Sequence, residues 1–147
     1  MIYILLLFAL IAGMALPTQF SINAQLRTLV GSPILASTIS FIVGSIALLI
    51  ISFFNHGIKV SKGWIEAPWW VWTGGLLGAF YVVATIVLIP RIGAASTVAF
   101  ILTGQIIASV LIDHFGLLGV HVQPINLFKL IGVSLIIIGV YFVQKYK

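Results

Sequence analysis

Charge is scarce in this chain, and where it falls constrains the fold more than any motif. Seven Lys and Arg residues and two Asp and Glu residues are spread over 147 positions. They are Arg27, Lys59, Lys62, Glu66, Arg91, Asp113, Lys129, Lys145 and Lys147. Uncharged stretches run between them, from Met1 to Leu26, Thr28 to Ile58, Ala67 to Pro90 and Ile92 to Ile112. A helix needs about 20 apolar residues, at ~1.5 Å each, to cross a hydrocarbon core ~30 Å thick. Four stretches reach that length. The fifth, Leu130 to Gln144, is shorter, but Lys129 and Lys145 flank it and can extend their ammonium groups to the two interfaces. The charges therefore punctuate five membrane-spanning helices, expected at about 2–27, 33–54, 68–89, 94–113 and 125–144 within one transmembrane domain.

Composition agrees. The chain is 62% hydrophobic and 6% charged, against ~25% charged in a soluble domain. Its mean hydropathy is +1.29. The net charge of +5 is dispersed over helix ends, which suits anionic lipid headgroups and not a nucleic acid, whose binding needs a basic face. With no cysteine, disulfides, thiol catalysis and thiolate metal sites are excluded. The apolar N-terminus lacks the basic start of a signal peptide and reads as the first span. No HExxH, G-x-S-x-G or phosphate-binding loop is present, so no enzyme and no cofactor is expected. His56, His114 and His121 lie in loops without ligand spacing, and no metal site is expected.

Local signals divide the spans. Pro17 removes a backbone hydrogen bond midway along the first helix and is expected to kink it. Val30-Gly31-Ser32-Pro33 reads as a turn, with Gly31 stopping one helix and Pro33 starting the next. Ala36, Ser40 and Gly44 make a small-residue stripe on the second span; Gly74 and Gly78 on the third, and Gly132 and Gly139 on the fifth, offer similar close approach to another helix. Trp64, Trp69, Trp70 and Trp72 gather at the start of the third span, the position of an interfacial aromatic belt. Pro90 is read as closing that span.

Polar side chains inside a span are costly unless partnered, which makes them candidates for a solute path or for interhelical hydrogen bonds. Gln105 lies near the middle of the fourth span, and Gln105, Ser109 and Asp113 share one helix face at i, i+4 and i+8. Gln19 and Asn23 form a second stripe just past Pro17. Tyr81 and Thr85 form a third, where Tyr81 either stacks on a solute or packs in the core. Asp113 is either a proton or cation site or an interfacial cap beside His114.

Several of these residues sit in a recognisable series. P-T-Q-x-x-I-N-A-Q-L (Pro17 to Leu26) is followed by V-G-S-P (Val30 to Pro33) and S-F-x-x-G (Ser40 to Gly44). Then come P-W-W-x-W-x-G-G-L-L-G-A (Pro68 to Ala79), P-x-I-G-A-A (Pro90 to Ala95), G-Q (Gly104, Gln105) and D-H-F-G (Asp113 to Gly116). The series resembles the YdcZ-like bacterial branch of the drug/metabolite transporter superfamily over nearly the whole chain. The resemblance implies a multi-pass inner-membrane protein of five helices, half of a ten-helix transporter fold. It implies a homodimer, antiparallel in one arrangement, or a heterodimer with a sister five-helix protein, and a small metabolite or drug as exported solute. Pro17, Gln19, Asn23, Trp70, Gly75, Gln105 and Asp113 are the positions it carries over. The related four-helix multidrug transporters place a glutamate in their first helix to exchange protons for cationic drugs. Here that helix has no carboxylate, and a lining of Gln, Asn, Ser and Tyr suits a neutral or zwitterionic solute better. A non-transporting membrane subunit that assembles with a partner, and a flippase for lipids or lipid-linked carriers, are the alternative readings.

With five spans the two termini face opposite sides. The side of the N-terminus carries Lys59 and Lys62, with Lys129 near it, and the other side carries Arg27, Arg91, Lys145 and Lys147. Positive charge favours the cytoplasm, so the C-terminus is expected inside, by a narrow margin that also admits insertion in both orientations. The absence of cysteine makes this directly testable. In intact cells, Lys62→Cys should react with a membrane-impermeant thiol reagent and Lys147→Cys should not; labelling of each to about half would mark dual insertion.

Overall fold

A computed structural model describes residues 2–55 and 62–146. His56, Lys59 and Lys147, which entered the topology and metal readings, lie outside the described residues. Among the described residues there is no strand. The helices are α1 (Ile2–Val30), α2 (Pro33–Asn55), the short α3 (Lys62–Glu66), α4 (Gly74–Ile92), α5 (Ala94–Phe115) and α6 (Leu127–Lys145). A 3₁₀ turn, Trp69–Thr73, leads straight into α4. Taken with that turn, five helices among the described residues are long and apolar enough to span a membrane, the longest being Ile2–Val30 with 29 residues and the shortest Leu127–Lys145 with 19. At ~1.5 Å per residue, α6 covers roughly 28 Å and α1 roughly 43 Å, so α6 matches the hydrocarbon thickness and α1 must tilt or project beyond it.

The chain divides into two compact units, Met1–Arg91 and Ile92–Lys147. In the first, α1 and α2 form a hairpin closed in two residues. Gly31, at φ +74°, ends α1 in the left-handed conformation and donates its N–H to the Arg27 carbonyl (2.9 Å). Ser32 then opens α2, its hydroxyl accepting from the Leu35 N–H (3.3 Å). α4 packs on this hairpin through Ala36, Val82 and Ile86, with Leu26, Val30 and Tyr81 around them.

In the second unit α5 and α6 form another hairpin with a longer return. Gly116 caps α5 at φ +60°, and a Cβ placed there would lie 2.6 Å from the Val122 Cγ2. Two residues at the end of α5 hold the loop that follows: the Asp113 carbonyl accepts from the Gln123 N–H (2.8 Å), and His114 Nδ1 accepts from the Ile125 N–H (3.1 Å). Asn126 then caps α6, its side chain accepting from the Lys129 N–H (2.8 Å). At the far end of α6 the Lys145 ammonium lies over the rings of Tyr141 and Tyr146 (5.6 and 5.5 Å), an anchor suited to the interface.

Several expected boundaries move by a few residues, and three of the shifts have visible causes. α1 continues three residues past Arg27 to the glycine that stops it, and α6 begins at Leu127 because Asn126 serves as its cap. Pro90 does not close the third span: α4 runs through it to Ile92. Proline has no N–H, so the Ile86 carbonyl, four residues earlier, loses its helical donor. Arg27 replaces it, with Nη1 donating to that oxygen at 3.4 Å.

The pairing of Arg27 with Pro90 can be measured. Removing the guanidinium as Arg27→Met should lower stability by about 1–3 kcal/mol, the cost of a stranded polar group. The loss should be much smaller in a Pro90→Ala background, where the backbone regains its N–H. Thermal unfolding of the four proteins in detergent gives the coupling. Gly116→Val should cost more than about 2 kcal/mol in the same assay, since it combines a left-handed β-branched residue with overpacking.

Candidate functional site

Burial in the described chain is sparse and unusually polar. The buried hydrophobic residues are Phe20, Ala24, Ala36, Val82, Ile86 and Val140; the buried polar ones are Asn23, Ser37, Thr85, Ser96 and Thr97. Most other apolar side chains face outward, as they do when lipid is the solvent. Between helices in hydrocarbon there is little hydrophobic force, so close packing and hydrogen bonds carry the association.

Most buried hydroxyls are satisfied within their own helix. Ser37 donates to the Pro33 carbonyl (2.9 Å), Thr85 to that of Val82 (2.8 Å) and Thr97 to that of Gly93 (2.7 Å). Asn23 differs. It is 3% exposed, and its Nδ2 has no hydrogen-bond partner among the described residues. Its place is fixed by its neighbours on α1. Phe20, one turn before it, meets Tyr81 edge-to-face with ring centroids 5.4 Å apart. Arg27, one turn after it, reaches the Ile86 carbonyl. Asn23 therefore faces the stretch of α4 between Tyr81 and Ile86. Tyr81 is half-buried and Thr85 fully buried there.

Gln19 is exposed, one turn before Asn23. With Ser40, Phe41, Gly44, Ser45 and Leu48 it lines a groove of about 210 Å³ between α1 and α2. A larger and more apolar groove of about 430 Å³ lies between α2 and α4, lined by residues including Thr38, Ile42 and Val83. Phe41 and Ser45 belong to both grooves. The Phe41 ring also lies 3.4 Å from where a Cβ on Gly78 would be. Of the glycines read as packing sites, Gly78 thus faces a neighbouring helix, whereas a Cβ at Gly44, Gly74, Gly132 or Gly139 would meet nothing within 4 Å. Pro17 sits in an unbroken α1, with the Thr18 and Ser21 hydroxyls donating to the Met14 and Pro17 carbonyls.

The second unit carries the other stripe. Gln105 and Ser109 are exposed on α5, and Asp113 is half-buried in its last turn. A pocket of about 230 Å³ lies between α5 and α6, lined by Phe100, Thr103, Ile137, Val140, Tyr141 and Gln144. Among the described residues no cluster of His, Asp or Glu has the makings of a metal site. Of the tryptophans at the start of the third span, Trp64 and Trp72 meet edge-to-face at 6.0 Å, and Trp69 is 78% exposed.

Sequence reasoning did not single out Arg27, Phe20 and Phe41 as site residues. The signal for Arg27 was present in Pro90, which strands a carbonyl that something must serve. Nothing local marks Phe20 or Phe41, whose importance comes from what they meet 61 residues away or across a groove.

Over residues 4–142 the chain matches the family described as "Putative inner membrane exporter, YdcZ". It is 26% identical over 141 residues to the inner membrane protein YdcZ of Escherichia coli strain K12, covering 95% of this chain and 94% of that protein. No solved structure matches. With five apolar spans among the described residues and a family match along almost its full length, the chain belongs to the YdcZ family of inner membrane exporters and is a multi-pass inner membrane protein.

Proposed function

We propose that the protein is a secondary exporter of small metabolites or drugs that works as a dimer of five-helix subunits, each half of a ten-helix fold. The observation that carries the reading is a buried amide with a vacant donor, Asn23, one turn from a groove lined by Gln19, Ser40 and Ser45 inside a membrane span. A chain that served only as a structural subunit would gain nothing from keeping that donor unserved, which costs about 1–3 kcal/mol. The dimer is supported by polar positions left exposed and glycine positions left open. Gln19 and Ser109 are exposed within helices long enough to span a membrane, and the glycine faces at Gly44, Gly132 and Gly139 are open to close approach by a second subunit. Two such subunits would enclose the solute between them and expose it to each side in turn as they exchange shapes. The other candidate path positions are Tyr81 in the first unit and Gln105, Ser109 and Asp113 in the second.

The test is an efflux comparison. Cells overproducing the protein should release one or more solutes into the medium faster than cells carrying an empty vector, measured by mass spectrometry of medium and cytoplasm. Gln105→Leu should cut that excess at least about tenfold, the equivalent of one lost hydrogen bond of ~1.4 kcal/mol. Equal release by both overproducing strains removes Gln105 from the path, and no excess release by either rejects export.

A further inference from the structure

The buried amide also has a chemical preference, and this deepens the exporter reading and rests on it. Asn23 lies between two contacts that pin α1 to α4, Phe20 on Tyr81 and Arg27 on the Ile86 carbonyl. Its Nδ2 finds no acceptor there among the described residues. The reason is visible in α4: its carbonyls in this stretch accept from their own helix, the Val82 oxygen takes the Thr85 hydroxyl as well, and the one that Pro90 strands is taken by Arg27. An acceptor must be brought in from outside the helix pair.

Charge decides which kind. The described spans of this unit hold Arg27 and Arg91 and no Asp or Glu. A cationic ligand at Asn23 would meet amide donors and a guanidinium, with no carboxylate to balance it. An anionic one would meet complementary groups. Arg27 is one turn from Asn23 on the same helix face, and its guanidinium carries five N–H donors, of which the Ile86 carbonyl takes one. Its planar fork matches a carboxylate better than any other side chain does. It also stands three residues from the end of α1 at Val30, near the mouth of the span, where bringing in an anion costs least. Deeper by one turn, the Gln19 groove of about 210 Å³ has the volume of roughly seven waters and hydroxyl and amide groups for the remainder of a small solute.

We infer that Asn23 and Arg27 form the donor pair of a binding site for a carboxylate group, so that the exported solute is a small organic acid or a zwitterion bearing one. A lipid phosphate presents similar oxygens, and the experiment separates the two sources. The chain contains three asparagines, Asn23, Asn55 and Asn126. Full-length protein labelled with ¹⁵N-asparagine and purified in dodecyl maltoside therefore gives few side-chain amide signals, and Asn23→Gln identifies that of Asn23. Benzoate and benzamidinium, alike in ring and opposite in charge, are titrated at equal ionic strength, followed by phosphatidylglycerol alone. The Asn23 amide should move saturably with benzoate and stay in place with benzamidinium, and Arg27→Gln, which keeps a donor but loses the charge, should weaken the benzoate response at least about tenfold. The wild-type titration needs no variant to fold. A response to benzamidinium in preference, to phosphatidylglycerol but not benzoate, or to none of the three overturns the inference. The efflux comparison at Gln105 is independent of all these outcomes, so failure of the carboxylate site leaves the exporter reading intact.

Discussion

Hydrocarbon offers no hydrogen bonds, and the contact between Arg27 and the Ile86 carbonyl is where this chain meets that condition most directly. Pro90 gives α4 a break in its ladder near one membrane face. In water the stranded oxygen would be hydrated at little cost; in a bilayer it needs a donor from the protein. Arg27 supplies one from a helix 59 residues earlier. The same contact settles a charge. A guanidinium near the end of a span is tolerated when its head reaches the interface or a carbonyl, and here it has the carbonyl. Proline and arginine, each unfavourable alone, are thus compatible as a pair. With Phe20 on Tyr81 two turns away, the pair fixes α4 along the C-terminal half of α1.

That arrangement leaves the other half of α1 bare. From Ile2 to Met14 its large apolar side chains are exposed, whereas every buried residue of the helix, Phe20, Asn23 and Ala24, lies in the half that meets α4. Lipid can cover aliphatic surface at no cost, so nothing in the sequence needs to pack it. Gln19 is at the border between the two regimes, exposed at the edge of the α1–α2 groove. Of the exposed polar positions, Gln19 lines the α1–α2 groove and Thr38 the α2–α4 groove, and no Ser, Thr, Asn or Gln lies in the aliphatic stretch from Ile2 to Met14.

The number and class of elements were legible because one variable, the spacing of charge, is sufficient in a bilayer. Five uncharged stretches gave five spanning helices with ends displaced by a few residues. The displacements have separate causes. Asn126 caps α6, a signal present in the sequence as an asparagine three residues before Lys129, where α6 was placed two residues too early. Pro90 was read as a terminator because proline usually is one; that α4 passes through it depends on Arg27, which no local pattern connects to it. The short helix Lys62–Glu66 and the 3₁₀ turn at Trp69–Thr73 were hidden by the tryptophans, which announce an interface without specifying backbone. For the site, the polar residues could be picked out by their cost in lipid, but not sorted. Gln19 and Asn23 look alike in sequence at i and i+4. One lines an open groove and the other is buried with a vacant donor, a difference set by α4, which approaches α1 along the face of Phe20, Asn23 and Arg27.

A vacant donor at a helix contact also bears on how an exporter can switch. A solute moves a conformational equilibrium only by as much as it binds one state better than another. If the empty site holds an amide whose desolvation is uncompensated, the conformation that buries it carries about 1–3 kcal/mol that a conformation exposing it to water does not. Binding an acceptor removes that penalty, so occupancy itself favours the closed arrangement and release favours the open one. A tenfold shift in population needs ~1.4 kcal/mol, which is within the range one such group supplies. Proton exchange at a buried carboxylate is one way to drive such a switch, and this chain has no carboxylate in the described spans of its first unit. On the carboxylate reading the solute brings the missing charge with it, and the donors that wait for it need no titration between the two states.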